Sequence, residues 1–358
     1  NCSAEVERCH EIWGELMGTV QSLVDALVER PESEGRTLAL IVMKEGRIVA
    51  ERYGSSPDTP FGPGEPVTPL STLISWSMAK SITHALIGIA MNDGLLDVND
   101  VAPLRSLQVD GQPPIRWIDL LEMRSGLNFV EDYEDASVSH CLEMLFSGED
   151  HRGVADMGEY AASLGRQFAP GEHWSYASGT TNILCRMLGD LLAGGDVASV
   201  GAARRKAAIE RFAHERLFGP IGATSPIMKF DATGTFVGSS YVYATARDFA
   251  AFGELYRRGG TLQDGTQLLP GGWHDHARTW VAHDPEGSGP HGFSYGRHWW
   301  IWPDFDGSLV AQGFQGQFIF VLPEAGLTMV HLGITDTDVA VPLVTRLGDI
   351  ARALMDEG

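Results

Sequence analysis

Ser77-Met78-Ala79-Lys80 is the stretch on which the reading of this chain turns. It opens a run to Asn92 in which Ile82, Leu86, Ile89 and Ala90 recur at helical spacing, and Gly94 supplies a stop. Residues three apart on a helix share a face, with roughly 5–6 Å between Cβ atoms, so Lys80 can reach the Ser77 hydroxyl. A serine becomes a good nucleophile when a base takes its proton, and a lysine does so only as the neutral amine, a form favoured by partial burial. The start of a helix adds free N–H groups and a positive dipole end, both suited to an oxyanion. A lone Ser-x-x-Lys is also common by chance on a protein surface. Here it uses one of only four lysines (Lys44, Lys80, Lys206, Lys229), follows a Pro- and Gly-rich loop from 54 to 69, and opens an apolar helix.

The flanking sequence predicts the rest of the architecture. Ile12, Leu16, Val20, Val24 and Leu27 form a helical pattern from about residue 6 to 29, ended by Pro31. Residues 38–43 and 47–53 are β-rich runs around Lys44-Glu45-Gly46 and read as a hairpin. From 101 to 260 the patterns are mostly helical, best at 181–192, 202–217 and 245–258. Strands are expected at 309–312, 317–322 and 327–332, then an amphipathic helix at 339–355. This order predicts an α/β (α+β) fold. An antiparallel sheet drawn from both chain ends is flanked by the N- and C-terminal helices, and a mostly helical lobe is inserted between. The expected division is 1–90 and 300–358 for the sheet lobe and 91–299 for the helical lobe, with the active site between them.

Composition narrows the function. Of 358 residues, 44% are hydrophobic and 20% charged, as in a globular enzyme with a sizeable core. No run of about 18 apolar residues exists, so no membrane span is expected. A net charge of −21 repels phosphate backbones, which argues against nucleic acid as a partner, and it favours solubility. Cys2, Cys9, Cys141 and Cys185 form no Cys-x-x-Cys pair, so no zinc-ribbon or thioredoxin-type site is expected. Cys2 and Cys9 are read either as a small disulfide or as two free thiols. The chain starts at Asn1 without a signal-type apolar stretch, and a removed leader would place it in the periplasm or outside the cell rather than in the cytoplasm. His274-Asp275-His276 has the look of two zinc ligands on a strand, but no third ligand stands at a supporting spacing. Exposed loop residues are the plainer account, and no metal or organic cofactor is expected. The oligomeric state is left open.

Two further segments carry chemistry. In Trp174-Ser175-Tyr176-Ala177-Ser178-Gly179, Tyr176 can relay a proton to a leaving group, and Ser178 can bond Lys80 or substrate. Taken alone, a tyrosine there also fits a core position. In Gln312-Gly313-Phe314-Gln315-Gly316-Gln317, Gly313 allows close backbone approach, and a backbone N–H offers a second oxyanion donor. Taken alone, this segment equally fits a hairpin turn. Trp299, Trp300 and Trp302 read as core or as pocket wall, and in the second case they line an acyl pocket with Trp174 and Phe314.

These three segments, in this order, resemble the serine β-lactamase and penicillin-binding-protein superfamily. Ser77–Lys80 resembles its first motif. Tyr176-Ala177-Ser178 resembles its Tyr-x-Asn motif with Ser for Asn, and Ala311-Gln312-Gly313 falls where its Lys-Thr-Gly would lie. A nearer similarity is to 6-aminohexanoate-dimer hydrolases, the nylon-oligomer amidases, and to related family VIII-type carboxylesterases. It runs from Leu38 to the C-terminus and includes Asp93-Gly94, Glu131-Asp132-Tyr133, Thr245-Ala246-Arg247-Asp248, Trp299-Trp300 and Gly316-Gln317. The resemblance implies Ser77 as nucleophile, Lys80 as base, Tyr176 as proton relay, and the N–H groups of Ser77 and Phe314 as the oxyanion hole. It implies that Tyr133 closes over substrate and that Trp174, Ser178, Gly313 and Gln317 flank it.

Two departures shape the expected activity. The Lys of Lys-Thr-Gly, which helps hold the carboxylate of β-lactams and D-Ala-D-Ala peptides, is absent. Gly238 stands where the nylon-oligomer enzyme has a substrate-binding Asn. A serine hydrolase acting on small esters or amides is therefore the expected function. The rival readings are a D-amino-acid peptidase or weak β-lactamase, a catalytically silent acyl- or peptidoglycan-binding sensor, and a metal-dependent hydrolase built around His274.

Overall fold

The segment Arg36–Lys44 (β1) is apolar almost without interruption because both of its faces are covered. Side chains alternate between the faces of a strand. Ala39 and Ile41 enter one buried cluster, and Leu40 and Val42 enter another. The computed structural model describes residues 17–148, 152–282 and 292–355. Cys2, Cys9, Ile12 and Leu16 lie outside the described residues.

β1 pairs with β2 (Arg47–Tyr53) across Glu45 and Gly46, with Lys44 opposite Arg47. Both turn residues have positive φ (+48° and +74°), the two-residue geometry whose twist matches that of the strands. Two short pairs, β3 (Leu73–Ile74) with β5 (Val242–Ala244) and β4 (Ile227–Met228) with β5, form a separate small sheet. The main sheet continues with β6 (Ser294–Tyr295), β7 (Trp300–Ile301), β8 (Leu309–Gly313), β9 (Gln317–Leu322) and β10 (Leu327–Ile334). Its order is β2-β1-β10-β9-β8-β7-β6, with every pair antiparallel. This is the expected α/β fold, drawn from both ends of the chain.

The helices are α1 (17–28), α2 (Ala79–Asn92), α3 (Trp117–Leu121), α4 (His140–Phe146), α5 (Met157–Ser163), α6 (Ser178–Ala193), α7 (Val197–Val200), α8 (Ala202–Ala213), α9 (Ala246–Arg257), α10 (Trp273–Ala277) and α11 (Ala340–Met355). One face of the sheet is covered by α1 and α11, where Val20, Val24 and Leu27 join Leu343, Leu347, Ile350, Phe318 and Phe320. The other face meets α2 and α9. α9 packs on β1, β9 and β10, so this part of the segment expected to be the helical lobe lies against the sheet. From Ala79 to Ala90 every residue of α2 is buried, because the helix runs between the sheet and α6. α6 in turn packs on α3, α5 and α8. Among the described residues no helix is long and apolar enough to cross a membrane.

Candidate active site

Ser77 occupies a single 3-10 turn, Trp76–Met78, that feeds directly into α2. Trp76 has φ +42°, a left-handed conformation that costs a side-chain-bearing residue about 1–3 kcal/mol and persists only where its surroundings enforce it. The surroundings here are specific. The Ser75 N–H donates to the Val242 carbonyl (2.8 Å), and the Val242 N–H donates to Ser75 Oγ (3.0 Å). The small sheet thus fixes the residues before the serine, and β8 closes against the same turn from the main sheet.

Lys80 is 2% exposed. Its Nζ stands 3.0 Å from each of three oxygens: Ser77 Oγ, Ser178 Oγ and the Ser239 carbonyl. Ser178 begins α6, and no side chain of the preceding residue caps that helix. Glu131 does so from a separate loop. Its Oε2 accepts from the Ser178 N–H (2.6 Å), and its Oε1 accepts from the Ser178 hydroxyl (2.6 Å) and the Tyr133 hydroxyl (2.5 Å). A carboxylate at a helix N-terminus satisfies an orphan donor and complements the dipole.

Tyr176 lies beneath Lys80, whose Nζ stands 4.7 Å from its ring centroid. Burial pushes its phenol pKa up, nearby Lys80 pulls it down, and Glu131 pushes it up again. Trp174, Tyr176, Tyr295 and Trp300 form one aromatic wall, with Tyr295 and Trp300 centroids 4.8 Å apart. A second group joins Tyr241, Trp76, Phe314 and Tyr133 through ring contacts of 5.8–5.9 Å. Tyr133 is half exposed as a residue, its hydroxyl donates to Glu131, and burial together with the Glu131 charge holds its pKa well above the ordinary value.

The β-lactamase family profile matches residues 20–340, nine-tenths of the chain. The chain belongs to the β-lactamase family. No curated protein sequence matches it. Among solved structures it shares its fold with a protein from Bacillus anthracis assigned as a 6-aminohexanoate-dimer hydrolase, at 21% identity and TM-score 0.70, covering 90% of this chain and 81% of that one. EstCE1, a hydrolase with promiscuous acyltransferase activity, aligns at 15% identity and TM-score 0.69 over 96% of this chain and all of its own (100%). The octameric penicillin-binding protein homologue from Pyrococcus abyssi aligns at 16% and 0.65 over 92% and 77%. At these identities the likeness is one of fold.

Several residues singled out in this β-lactamase-family sequence sit elsewhere than expected. Gln317 is buried beneath the β8–β9 turn. Its amide nitrogen donates to the Phe314, Gln315 and Gly333 carbonyls, and its oxygen accepts from the Gly333 N–H. With its polar atoms engaged by backbone, it shapes the turn that carries Phe314. Of the three tryptophans, only Trp300 joins Trp174. Trp299 packs on Phe252 and Tyr256 in one core, and Trp302 on Phe305 and Phe320 in the other. His274 and His276 lie on helix α10 rather than on a strand or an exposed loop, and positions two apart on a helix diverge. His276 stacks on Trp273 (4.2 Å) and bonds His84 (3.1 Å). Among the described residues no three His, Cys, Asp or Glu side chains are grouped to hold a metal.

Three participants escaped the sequence reading. Glu131 appeared only as part of a family string. Its role shows when a distant loop meets the start of α6. The Ser239 carbonyl has no sequence signature, because every residue carries one. Tyr295 belongs to a two-residue strand too short to register as periodicity.

Proposed function

We propose that this chain is a serine hydrolase that cleaves ester or amide bonds of small acyl substrates through an acyl-enzyme on Ser77. The observation that carries the reading is the 3.0 Å approach of the buried Lys80 Nζ to Ser77 Oγ at the mouth of α2. Lys80 takes the Ser77 proton as Oγ attacks the carbonyl. The oxyanion is received by the N–H groups of Ser77 and of Phe314, which follows the β8 residue packed on the nucleophile turn. Tyr176, close to both Ser77 and Lys80, delivers a proton to the departing alcohol or amine. Water activated by the same pair then releases the acyl group. Trp174 and Trp300 on one wall and Tyr133 and Phe314 on the other give the substrate an aromatic, weakly polar setting. The similarity to EstCE1 and to the Bacillus anthracis protein supports ester or amide substrates. The absence of the Lys of Lys-Thr-Gly at Ala311 weighs against carboxylate-bearing β-lactams.

The test is hydrolysis of p-nitrophenyl butyrate by wild type, Ser77→Ala and Lys80→Ala. Turnover in wild type with loss of about 10³-fold or more in both variants is expected, because the pair acts as a unit. Equal rates in wild type and Ser77→Ala would require another nucleophile.

A further inference from the structure

We infer that Glu131, acting through the Ser178 hydroxyl, aims the lone pair of Lys80 at Ser77. The inference rests on the Ser77–Lys80 reading above and adds a positioning residue to it. A hydroxyl has one proton and two acceptor sites. The Ser178 proton goes to Glu131 Oε1 at 2.6 Å, within the range of an O–H bonded to a carboxylate. The oxygen of Ser178 therefore faces Lys80, 3.0 Å away, only as an acceptor. The Ser239 carbonyl, also at 3.0 Å, can only accept. A neutral lysine amine has two N–H bonds and one lone pair. Lys80 Nζ stands within donor reach of all three oxygens; in the neutral amine, Ser239 and Ser178 keep the two protons, and the lone pair is left for Ser77 Oγ, the one neighbour with a proton to give.

Glu131 is well placed to enforce this arrangement. It grips Ser178 twice, at the backbone N–H and at the hydroxyl, so that serine cannot turn without losing a bond to one carboxylate. The Tyr133 hydroxyl holds the other side of Oε1. The thiol of Cys141, near Glu131 and Ser178, has its pKa pushed well up by burial and stays neutral. Without the carboxylate, the Ser178 proton is free to swing onto the Lys80 nitrogen and occupy the lone pair that should attack the Ser77 proton. The base would then be present but blocked.

The decisive experiment is a double-mutant cycle of Glu131→Leu, which removes the acceptor of the Ser178 proton, and Ser178→Ala. It is read by the rate at which a neutral alkyl fluorophosphonate labels Ser77, followed by intact-protein mass spectrometry. In that reaction Ser77 Oγ forms a bond to phosphorus, the P–F bond breaks, fluoride leaves, and Lys80 keeps the serine proton. The readout needs nucleophile activation and no carboxylic substrate. In the Ser178 parent, Glu131→Leu should slow labelling at least ~10-fold, part of the ~10²–10⁴ that a positioned base supplies. In the Ser178→Ala background there is no proton to misdirect, and the same substitution should change the rate by less than ~3-fold, a non-additivity reserved for groups acting through one another. Equal slowing in both backgrounds would overturn the inference, since Glu131 would then act on the loop or on charge alone. No slowing in the parent would overturn it as well. Ser77→Ala and Lys80→Ala controls separate the two levels. If they label like wild type, the Ser77–Lys80 reading itself fails; if they are silent and the cycle is additive, only the Glu131 inference fails. Should Glu131→Leu not give folded protein, Glu131→Asp, whose carboxylate is drawn back by one methylene, takes its place in the same cycle.

Discussion

Gly313 of β8 lies so close to Ser75 that a Cβ built on it would stand 2.3 Å from the Ser75 carbonyl oxygen and 3.1 Å from the Trp76 Cβ. The glycine lets the end of β8 touch the backbone that presents Ser77, and Phe314 follows it directly. Gly313→Ala must push the strand and the Ser77 turn apart. The expected outcome is a loss of about 1–3 kcal/mol of stability from overcrowding, with a fall in kcat on p-nitrophenyl butyrate of about 10²-fold, the scale of losing one oxyanion donor. Urea melts and steady-state kinetics on the same preparation check both.

Gly238 is the position where the resemblance places a substrate-binding Asn in the nylon-oligomer enzymes. In this fold a Cβ there would fall 2.3 Å from Thr83 Oγ1 and 2.4 Å from Cys185 Sγ, in the packed space between α2 and α6. Restoring the Asn therefore does not restore a substrate contact. Gly238→Asn is expected to lower the urea midpoint by an amount equivalent to about 1–3 kcal/mol or more and to create no activity on linear amide dimers. A stable variant with new amidase activity would show that residue 238 faces the cleft.

How far the sequence carried the reading depended on whether a feature is local. Helix α2 and the hairpins were legible because their periodicities and glycine turns are confined to a few residues, as at Lys44-Glu45-Gly46. The Ser77–Lys80 approach was legible because three residues on a helix fix a distance. Other family-like strings turned out to hold structure. Thr245 caps α9 by accepting from the Asp248 N–H, Asp248 anchors Thr224 and Ser225, and Asp93 pairs with Arg216. The Glu131–Ser178 bond joins residues 47 positions apart and could not be read from spacing. The small sheet escaped for a different reason: its strands have only two or three residues, below the length at which alternation can be recognised.

Tyr176 can be tested without disturbing its packing. Its ring stands 5.9 Å from that of Tyr295 and 5.5 Å from that of Trp300, contacts that phenylalanine keeps. Tyr176→Phe removes only the hydroxyl near Ser77 and Lys80. A p-nitrophenolate leaves without a proton, whereas an amine must be protonated to leave. The substitution should therefore lower acylation by an anilide by about 10²–10⁴-fold, the range of general-acid catalysis, and acylation by the p-nitrophenyl ester distinctly less. Single-turnover rates on matched acyl groups give the comparison. An equal loss on both would assign Tyr176 to positioning rather than to proton delivery.

His298 ties acid stability to the site. It is fully enclosed, with Nδ1 against the Leu121 carbonyl and Nε2 against Thr181 Oγ1, both at 2.9 Å, and its own carbonyl accepts from Ser81 Oγ on α2. Because a carbonyl only accepts, Nδ1 carries the proton and Nε2 receives the Thr181 hydroxyl, which describes a neutral ring. Burial lowers its pKa from 6.5 to about 3, against the Leu121 carbonyl, which holds it up. In the unfolded chain the ring takes up a proton below about 6.5. Between pH 6.5 and 3 the unfolded state thus binds more protons, and folding stability falls as pH falls, by up to about 1.4 kcal/mol per pH unit from this residue. The contribution is whole above pH 6.5. His298→Gln keeps a donor for Leu121 and an acceptor for Thr181 but cannot titrate. Its urea stability is expected to fall less steeply than that of wild type from pH 7 to pH 5, by close to one proton. Parallel slopes for the two proteins would mean that the His298 ring takes up its proton without unfolding.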